Sequence, residues 1–450
     1  MNLLLDQVAA LAPDDSSLAA GKKLGSAKSW KNTGQSDSAV WGECQGSALY
    51  QVRVDLSDLG YKCTCPSRKL PCKHVLGLLL LAVNSPSDLP KSESPEWVTD
   101  WLTKRASRAK QREEKKEGKK EPADPAARAK RAEQRQERVV EGLERLDLWL
   151  HDLIRNGLAG LEAQPPSFWE DPAKRLVDAQ APALASRLRR LGEIPGSNPD
   201  WPRQLLGRLG RLELLIHAFR RIDSLDSLLQ TDIRQLIGWT INQDELTVQG
   251  EVVTDHWAVL GQIVEEEDRF RVQRSWLWGE KTGRSALVLQ FSAVGQPYPE
   301  QILPGTKTDG DLLYWPSAFP QRAKFNTRRG ESIRISKSLS GCATLEEFLA
   351  QTAGALTGQP WLDRFFGLLK QVTPIPKPRL PWLVRDSNGQ AMPLAKPESW
   401  KLLALSGGRP VDLAAEWDGE RLLPLSVFVE GEFHLLQNSA RQDPLLWKKS

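Results

Sequence analysis

The sequence has few of the features that mark secreted or membrane proteins. Its 450 residues include only five cysteines, too few and too unevenly spaced for the disulfide framework of a small secreted domain. The amino terminus, "MNLLLDQVAALAPDDSS", has neither a basic region nor a long apolar stretch, so we expect no secretory signal. The longest apolar run, "VLGLLLLAV" at 75–83, is too short to span a bilayer. We therefore expect a cytoplasmic protein with no membrane contact.

The familiar signatures of catalysis are missing as well. The segment "PGTKT" at 304–308 lacks the order of residues that holds phosphates in a nucleotide-binding loop, and no hydrolase, metalloprotease or dinucleotide motif is present. Asp255 and His256 are adjacent in a predicted strand, where neighbouring side chains point to opposite faces, so they do not form an acid/base pair. We expect a non-enzymatic protein. An enzyme with an unrecognised site in the C-terminal half is the second alternative.

Charge is concentrated in one segment. Residues 104–138 contain fourteen Lys/Arg and seven Asp/Glu, a net charge of +7, whereas the whole chain carries only +4. Apart from two prolines, alanine is the only apolar residue there, so this segment cannot build a core. It predicts a charged disordered linker, or a solvated helix broken near Gly118, Pro122 and Pro125. Whether it binds a polyanion or serves as a solubilising linker stays open.

Three of the five cysteines and one of the five histidines lie together in "CTCPSRKLPCKH", residues 63–74. Cys63-x-Cys65 and Cys72-x-His74 form two chelating pairs, joined by a six-residue loop with a proline at each end. Thiolate and imidazole ligands in a set of four suit tetrahedral zinc. Because the protein supplies all four ligands, no position remains for a catalytic water, and we predict a structural Zn²⁺ site. A chance cluster is disfavoured because four soft ligands lie so close together, and a redox site is disfavoured because a Cys-x-x-Cys pair is absent.

The flanks of this segment predict how the ion would be held. The runs 39–46 and 49–56 have strand character with a turn between them, and the apolar run after His74 predicts a buried helix. The unit is therefore a β-hairpin, a zinc loop and a helix. Three thiolates and a neutral imidazole around Zn²⁺ carry a net charge of −1, which nearby cations offset. These cations are Lys62, Arg68, Lys69 and Lys73.

These residues resemble the SWIM zinc finger, whose pattern is Cys-x-Cys, a variable gap and Cys-x-His. The resemblance extends over about residues 39–85, and the flanks are especially similar to bacterial proteins that carry this finger. It implies a ββα zinc fold and binding to DNA or to proteins. Similar bacterial proteins are often associated with AAA ATPases and von Willebrand factor A domain proteins.

We therefore expect a zinc-binding adaptor that uses the finger for protein recognition. The first alternative is a nucleic-acid-binding protein, in which the finger and the basic segment contact DNA. In that case Arg68, Lys69 and Lys73 would contact phosphates.

The remaining pattern predicts an α+β multidomain chain with a central helical bundle and a C-terminal β-rich α+β region. The expected divisions are a finger domain with N-terminal helices (1–90), a charged disordered linker (91–138), a helical domain (139–245), a β-rich segment (246–345) and a C-terminal α+β segment (346–450). Asp14 is a candidate cap for a helix at 15–24, apolar residues recur at helical spacing from Val139 to Leu158, and a further helix is expected at 171–192. Two apolar runs around an acidic turn at 265–268 and a third run at 285–294 predict three strands. Asn388-Gly389 and Asp418-Gly419 predict hairpin turns, and "WKLLALSG" at 400–407 is interpreted as a strand.

Tryptophan is abundant, with seventeen residues in the chain. Trp276 and Trp278 share one face of a predicted strand, close to three arginines, Arg271, Arg274 and Arg284. Aromatic residues among arginines can stack nucleic-acid bases. We favour the alternative interpretation, in which these tryptophans belong to a core or a protein-binding face.

Overall fold

A computed structural model describes residues 5–56, 59–67, 69–117, 125–267, 270–293, 296, 298–378, 381–395 and 399–436. The helices are α1 (Leu5–Leu11), α2 (Asp15–Lys23), α3 (Lys73–Asn84), α4 (Glu96–Glu117), α5 (Pro125–Asn156), α6 (Ser167–Asp178), α7 (Pro182–Leu191), α8 (Trp201–Arg220), α9 (Ser227–Ile237), α10 (Gln243–Gln249), α11 (Leu345–Gly358) and α12 (Trp400–Ser406). The strands are β1 (Trp30–Gln35), β2 (Ala39–Gln45), β3 (Leu49–Asp55), β4 (Tyr61–Cys63), β5 (Glu251–Glu267), β6 (Phe270–Gly279), β7 (Ser285–Ala293), β8 (Thr306–Tyr314), β9 (Arg322–Arg334), β10 (Phe365–Ile375), β11 (Leu383–Arg385), β12 (Ala391–Pro393), β13 (Val411–Trp417), β14 (Leu422–Val429) and β15 (Glu432–Leu435).

The N-terminal part is an antiparallel sheet in the order β1-β2-β3-β4, packed against α3. The predicted hairpin is β2 and β3, and the predicted helix is α3, which buries eight consecutive residues from His74 to Leu81. Asp14 caps α2 as expected, because its Oδ1 accepts a hydrogen bond from the Ser17 backbone N–H at 2.6 Å. Strand β1, "WKNTGQ", was not predicted, since its polar residues show no apolar alternation.

Helix α4 lies where the sequence predicted a disordered linker. Val98 is fully buried against Ala39 and Trp41 of β2, and the Arg53 guanidinium lies 5.0 Å from the Trp97 ring centroid. The linker prediction for 91–138 is therefore corrected: helices occupy 96–117 and begin again at Pro125.

The physical reason is that alanine, lysine, arginine and glutamate are strong helix formers, even where they cannot build a core. The alternative interpretation, a solvated helix with a break, agrees with these two helices. Its break at Gly118 and Pro122 lies outside the described residues.

The central part is the predicted helical bundle, formed by α5 to α9 around one apolar core. On α5, most of the apolar residues at helical spacing are buried as the sequence indicated, among them Val139, Leu143, Leu146 and Leu150, whereas Ile154 is 47% exposed. The single helix expected at 171–192 is instead two helices, α6 and α7. Gln180 has a positive φ of 62°, and Pro182 begins the second helix.

The first β-rich part is a closed barrel in the order β5-β6-β7-β9-β8. All of its pairs are antiparallel except β7 with β9. This connectivity is that of the OB-fold, in which the second and third strands carry the usual ligand face. The three strands predicted from the sequence are β5, β6 and β7, and Trp257 and Tyr314 fill the interior.

The second β-rich part is a six-stranded antiparallel sheet in the order β12-β11-β10-β13-β14-β15. The hairpins at Asn388-Gly389 and Asp418-Gly419 are confirmed, and both glycines have positive φ. The strand expected at 400–407 is wrong, because these residues form α12. Leu402 and Ser406 are buried four positions apart, which is a helical spacing that a short apolar run conceals.

The C-terminal sheet packs on the outer face of the barrel. Trp276 of β6 stacks on Phe366 of β10 with ring centroids 5.4 Å apart, and Trp278 lies 5.9 Å from the same ring. Gly261 of β5 lies so close to Leu425 that an added Cβ would fall 2.5 Å from its side chain. The two β-rich parts therefore share one apolar core.

Asp232 of α9 forms a hydrogen bond between the bundle and the β-rich half, and its raised pKa makes the free energy of unfolding depend on pH. Its Oδ2 accepts a hydrogen bond from the Ala318 backbone N–H at 2.8 Å, and burial raises the pKa of this carboxyl to about 6. A folded-state pKa above the unfolded value of 3.8 favours folding at pH below about 4, and this stability is lost as the pH rises through about 6.

We expect Asp232→Asn to raise the free energy of unfolding by roughly 2 kcal/mol at pH 8, because the amide keeps the acceptor without the buried charge. Urea unfolding at pH 8 and pH 4.5 measures this, and the gain should shrink strongly at the lower pH. The exposed Asp223→Asn is the control. An equal gain at both pH values would contradict the assignment.

Candidate metal centre

The four predicted ligands meet between the sheet and α3. Cys63 ends β4, Cys65 follows it in the zinc loop, and Cys72 is the N-cap residue of α3, so His74 lies in the first turn of that helix. The loop returns through Leu70-Pro71, a cis peptide bond. The chain therefore brings two ligands from a strand end and two from a helix start to one point.

The spacing of the ligand atoms fits a tetrahedral ion. His74 Nδ1 lies 3.8 Å from Cys63 Sγ and 3.9 Å from Cys72 Sγ, and all four ligand atoms lie within 4.8 Å of one another. Zinc–sulfur and zinc–nitrogen bonds of about 2.3 and 2.1 Å place such atoms about 3.6 to 3.8 Å apart in a tetrahedron. The residues therefore fit Zn²⁺ with His74 bound through Nδ1.

Hydrogen bonding and burial shift the pKa values of the three thiols in different directions. The pKa of Cys72 is lowered, chiefly because the Cys63 thiol donates a hydrogen bond to its sulfur. The pKa of Cys63 is raised by that same hydrogen bond and by burial. Burial also raises the pKa of Cys65. Zinc would supply the positive charge that holds all three sulfurs deprotonated.

Two further residues support the centre, and the sequence did not single them out. The Tyr50 ring lies 4.9 Å from the His74 ring and its hydroxyl lies 2.5 Å from Ser47 Oγ, which fixes one wall beside the imidazole. Burial lowers the pKa of the Arg53 guanidinium, and attraction to the Cys63 sulfur opposes this shift, so Arg53 is a cation close to the centre. Both residues come from β3, so only the folded hairpin places them there.

A groove of about 420 Å³ opens directly beside the metal centre. Hydroxyl groups, a tyrosine and two lysines line it, including Ser16, Ser47, Tyr50, Lys69 and Lys73. This groove, which we call the finger groove, also contacts Cys65 and His74. Its walls come from α2, the β2–β3 turn, the zinc loop and the start of α3.

The three cations predicted to contact phosphate do not have the same surroundings. Lys73 is exposed in the finger groove, whereas Lys69 donates to Asp14 Oδ2 at 2.6 Å and is thereby neutralised. Arg68 lies outside the described residues. Contact of these residues with phosphate stays a prediction.

The tryptophan and arginine cluster is a core and not a base-stacking platform. Trp276 is fully buried and donates through Nε1 to Glu416 Oε2 at 2.6 Å, and Trp278 is 7% exposed. Arg274 is buried between Glu265 and Glu416. The favoured interpretation of these tryptophans as core residues is confirmed.

Asp255 has a structural role. Its carboxylate accepts hydrogen bonds from the backbone N–H groups of Lys281 and Thr282 at 3.0 and 2.8 Å, and from the Thr282 hydroxyl at 2.7 Å. These bonds hold the turn between β6 and β7, and they lower the pKa of Asp255 despite the opposing effect of burial. The side chain is therefore committed to the fold of the barrel.

Comparison with known families agrees with this geometry. Residues 50–82 match the SWIM zinc finger, and residues 134–237 match the SWIM-associated four-helix bundle domain. The finger carries the Cys-x-Cys and Cys-x-His ligands of a structural zinc site. No curated protein and no solved structure matches the chain. Among the described residues, no helix combines the length and the apolar character needed to cross a membrane.

Proposed function

We propose that this SWIM zinc finger protein is a cytoplasmic, non-enzymatic adaptor whose finger groove binds an acidic segment of a partner protein. The observation that carries the proposal is the groove itself, which lies on the metal centre and is lined by Lys73 and several hydroxyl groups. Zinc holds two of its walls in place, because His74 and Cys65 line the groove and are also ligands.

The groove has the chemistry of a peptide-recognition site. Ser16, Ser17, Ser47 and Ser67 offer hydroxyl groups, and the Tyr50 ring gives a flat apolar wall. A carboxylate of a partner would meet the Lys73 ammonium, while a neighbouring apolar side chain would lie against the tyrosine. Charged pairing in a partly enclosed groove supports specificity as well as affinity.

Charge balance favours a peptide over a polyanion. Lys69 is already paired with Asp14, and Asp15 begins the adjacent helix, so Lys73 suits a single carboxylate of a peptide better than a run of phosphates. Nucleic-acid binding depends on several uncompensated cations along a backbone. The OB-type barrel also gives no support to stacking at its usual ligand face, because the C-terminal sheet covers Trp276 and Trp278.

The nucleic-acid alternative is favoured by one observation, the basic excess of residues 104–138. This segment is helical up to Glu117 and again from Pro125. Two of its cations have acidic partners, since Lys104 pairs with Asp100 and Arg105 with Asp55. DNA binding is accordingly the second candidate.

AAA ATPases and von Willebrand factor A domain proteins are the partners we propose, following the resemblance of the finger and its flanks. Residues of the bundle and the β-rich half would then present the finger to such an assembly. An enzymatic site in the β-rich half has no supporting constellation among the residues described above.

Lys73→Glu tests the proposal. Reversing the charge should repel an acidic partner segment and lower recovery of the specific partner about tenfold, while zinc binding persists because Lys73 is not a ligand. The measurement is quantitative mass spectrometry of proteins retained by the tagged, zinc-loaded chain in nuclease-treated extract of its own cells.

Lys31→Glu is the matched control, since Lys31 is an exposed lysine on β1 and does not line the groove. The proposal expects Lys31→Glu to retain the partners that Lys73→Glu loses, with an AAA ATPase among them. Identical partner sets for Lys73→Glu and the unchanged chain would contradict it.

A further inference from the structure

A second cluster of metal-ligating side chains lies in the helical bundle, far in sequence from the finger. Helix α5 carries Asp147 and His151, and helix α8 carries Glu213 and His217. Each pair has the spacing i, i+4, which places both side chains on one face of its helix. Helices α5 and α8 pack against each other, so Glu213 meets Asp147 and His151 across one helix–helix seam.

The distances within this cluster are close to those around an ion. His151 Nε2 lies 3.9 Å from Asp147 Oδ1 and 3.6 Å from Glu213 Oε1, and the ligand atoms of these three residues lie within 4.8 Å of one another. His217 Nε2 lies 2.9 Å from Glu213 Oε1 but stands outside this set of three, so its side chain would have to turn to reach a shared ion. Zinc bonds of about 2.1 Å to nitrogen and oxygen place such atoms about 3.4 Å apart in a tetrahedron.

Two buried oxygens of the cluster lack hydrogen-bond donors. Asp147 is 9% exposed, and its Oδ1 accepts no hydrogen bond from the described residues, nor does Oε2 of Glu213. The other oxygen of Asp147 accepts from Arg220 at 2.7 Å, which orients the carboxylate and leaves Oδ1 directed to the cluster. Buried carboxylate oxygens without a donor are costly unless a cation approaches them.

We propose that Asp147, His151 and Glu213 bind a divalent first-row transition ion such as Zn²⁺, with His217 as the fourth ligand. Two carboxylates and two imidazoles suit such an ion better than Mg²⁺ or Ca²⁺, which favour all-oxygen ligands. The ion joins α5 to α8 and stabilises their packing. The histidine side chains are 56% and 57% exposed, so the ion enters from solvent without unfolding of the bundle.

Metal analysis of the full-length protein tests this site with Zn²⁺ itself as the probe. The protein is dialysed against a buffer of fixed micromolar free Zn²⁺, and bound zinc is counted by plasma mass spectrometry. We expect two ions per unchanged chain, one in the finger and one in the bundle. His151→Gln should hold one, and His217→Gln should bind the second ion about tenfold more weakly.

His434→Gln is the control for nonspecific capture by histidine, because His434 lies on β15 outside the cluster. Circular dichroism verifies that each variant remains folded, which is expected since both cluster histidines are more than half exposed.

Cobalt substitution then identifies the ion that each variant loses. Co²⁺ in the finger gives an intense thiolate-to-metal charge-transfer band, whereas Co²⁺ on imidazole and carboxylate ligands gives none. Loss of the second cobalt in folded His151→Gln, with that band unchanged, supports the proposal. One ion per unchanged chain, or two ions in His151→Gln, would overturn it and leave His151 as a neighbour of two carboxylates without a bound ion.

Discussion

Cys72→Ser is expected to release the finger zinc and to unfold the N-terminal domain. Cys72 contributes a thiolate, starts α3 as its N-cap and is 1% exposed, so a serine hydroxyl cannot replace it as a ligand. Structural zinc binding contributes about 10–16 kcal/mol in isolated fingers, which is comparable with the whole stability of a domain. Loss of this interaction therefore exceeds what the apolar core around α3 can compensate.

Zinc release into a chromogenic chelator and circular dichroism measure this outcome together. Cys44→Ala is the matched control, because Cys44 is a buried cysteine of the same sheet whose sulfur does not belong to the ligand cluster. It should keep its finger zinc.

The rest of the chain should remain folded in Cys72→Ser, since the bundle and the β-rich half have their own cores. Retention of the finger ion by Cys72→Ser, or collapse of all parts in one transition, would contradict the account.

Glu416→Ala is expected to lower the free energy of unfolding by about 3–5 kcal/mol. Glu416 lies on β13, is 2% exposed, and accepts hydrogen bonds from Arg364 at 2.5 Å and from Trp276 Nε1 at 2.6 Å. Arg274, also buried, lies 3.5 Å away. Removal of the carboxylate would take away one of the negative charges that pair with Arg274. It would also leave the indole N–H of Trp276 without its acceptor in the interface between the barrel and the sheet.

Urea unfolding of the full chain, followed by circular dichroism, gives this value. Glu432→Ala is the control, because Glu432 is exposed on β15 of the same sheet and should change stability by less than about 0.5 kcal/mol. A loss of less than about 1 kcal/mol in Glu416→Ala would mean that solvent reaches the arginines, contrary to the packing described above.

The metal centre was predictable because its ligands lie within twelve residues. Their order and spacing alone fixed the ligand set, and the apolar run after His74 indicated the helix that carries it. The finger groove was not predictable, since it depends on approach of distant segments. The ion pair of Lys69 with Asp14 joins residues 55 positions apart, and it changes which cation the groove presents.

The closure of the barrel was also not predictable from the sequence. Alternation of apolar residues indicated β5, β6 and β7, but closure depends on pairing of β5 with β8 and of β7 with β9. The sequence placed Trp276 and Trp278 on one face correctly. It gave no indication that Phe366, ninety residues later, would cover them. Likewise, the spacing of Asp147 and His151 is visible in the sequence, whereas the approach of Glu213 requires the folded bundle.

The measurement that most directly tests the central claim, recognition of protein by the finger, is fluorescence anisotropy of labelled single- and double-stranded DNA with zinc-loaded protein. Salt is raised from low to physiological concentration for the unchanged chain, Lys73→Glu and Cys72→Ser. The account predicts weak binding at most, which disappears at physiological salt and does not depend on either substitution. DNA binding that survives physiological salt and is lost in both variants would contradict it and make the finger a nucleic-acid reader.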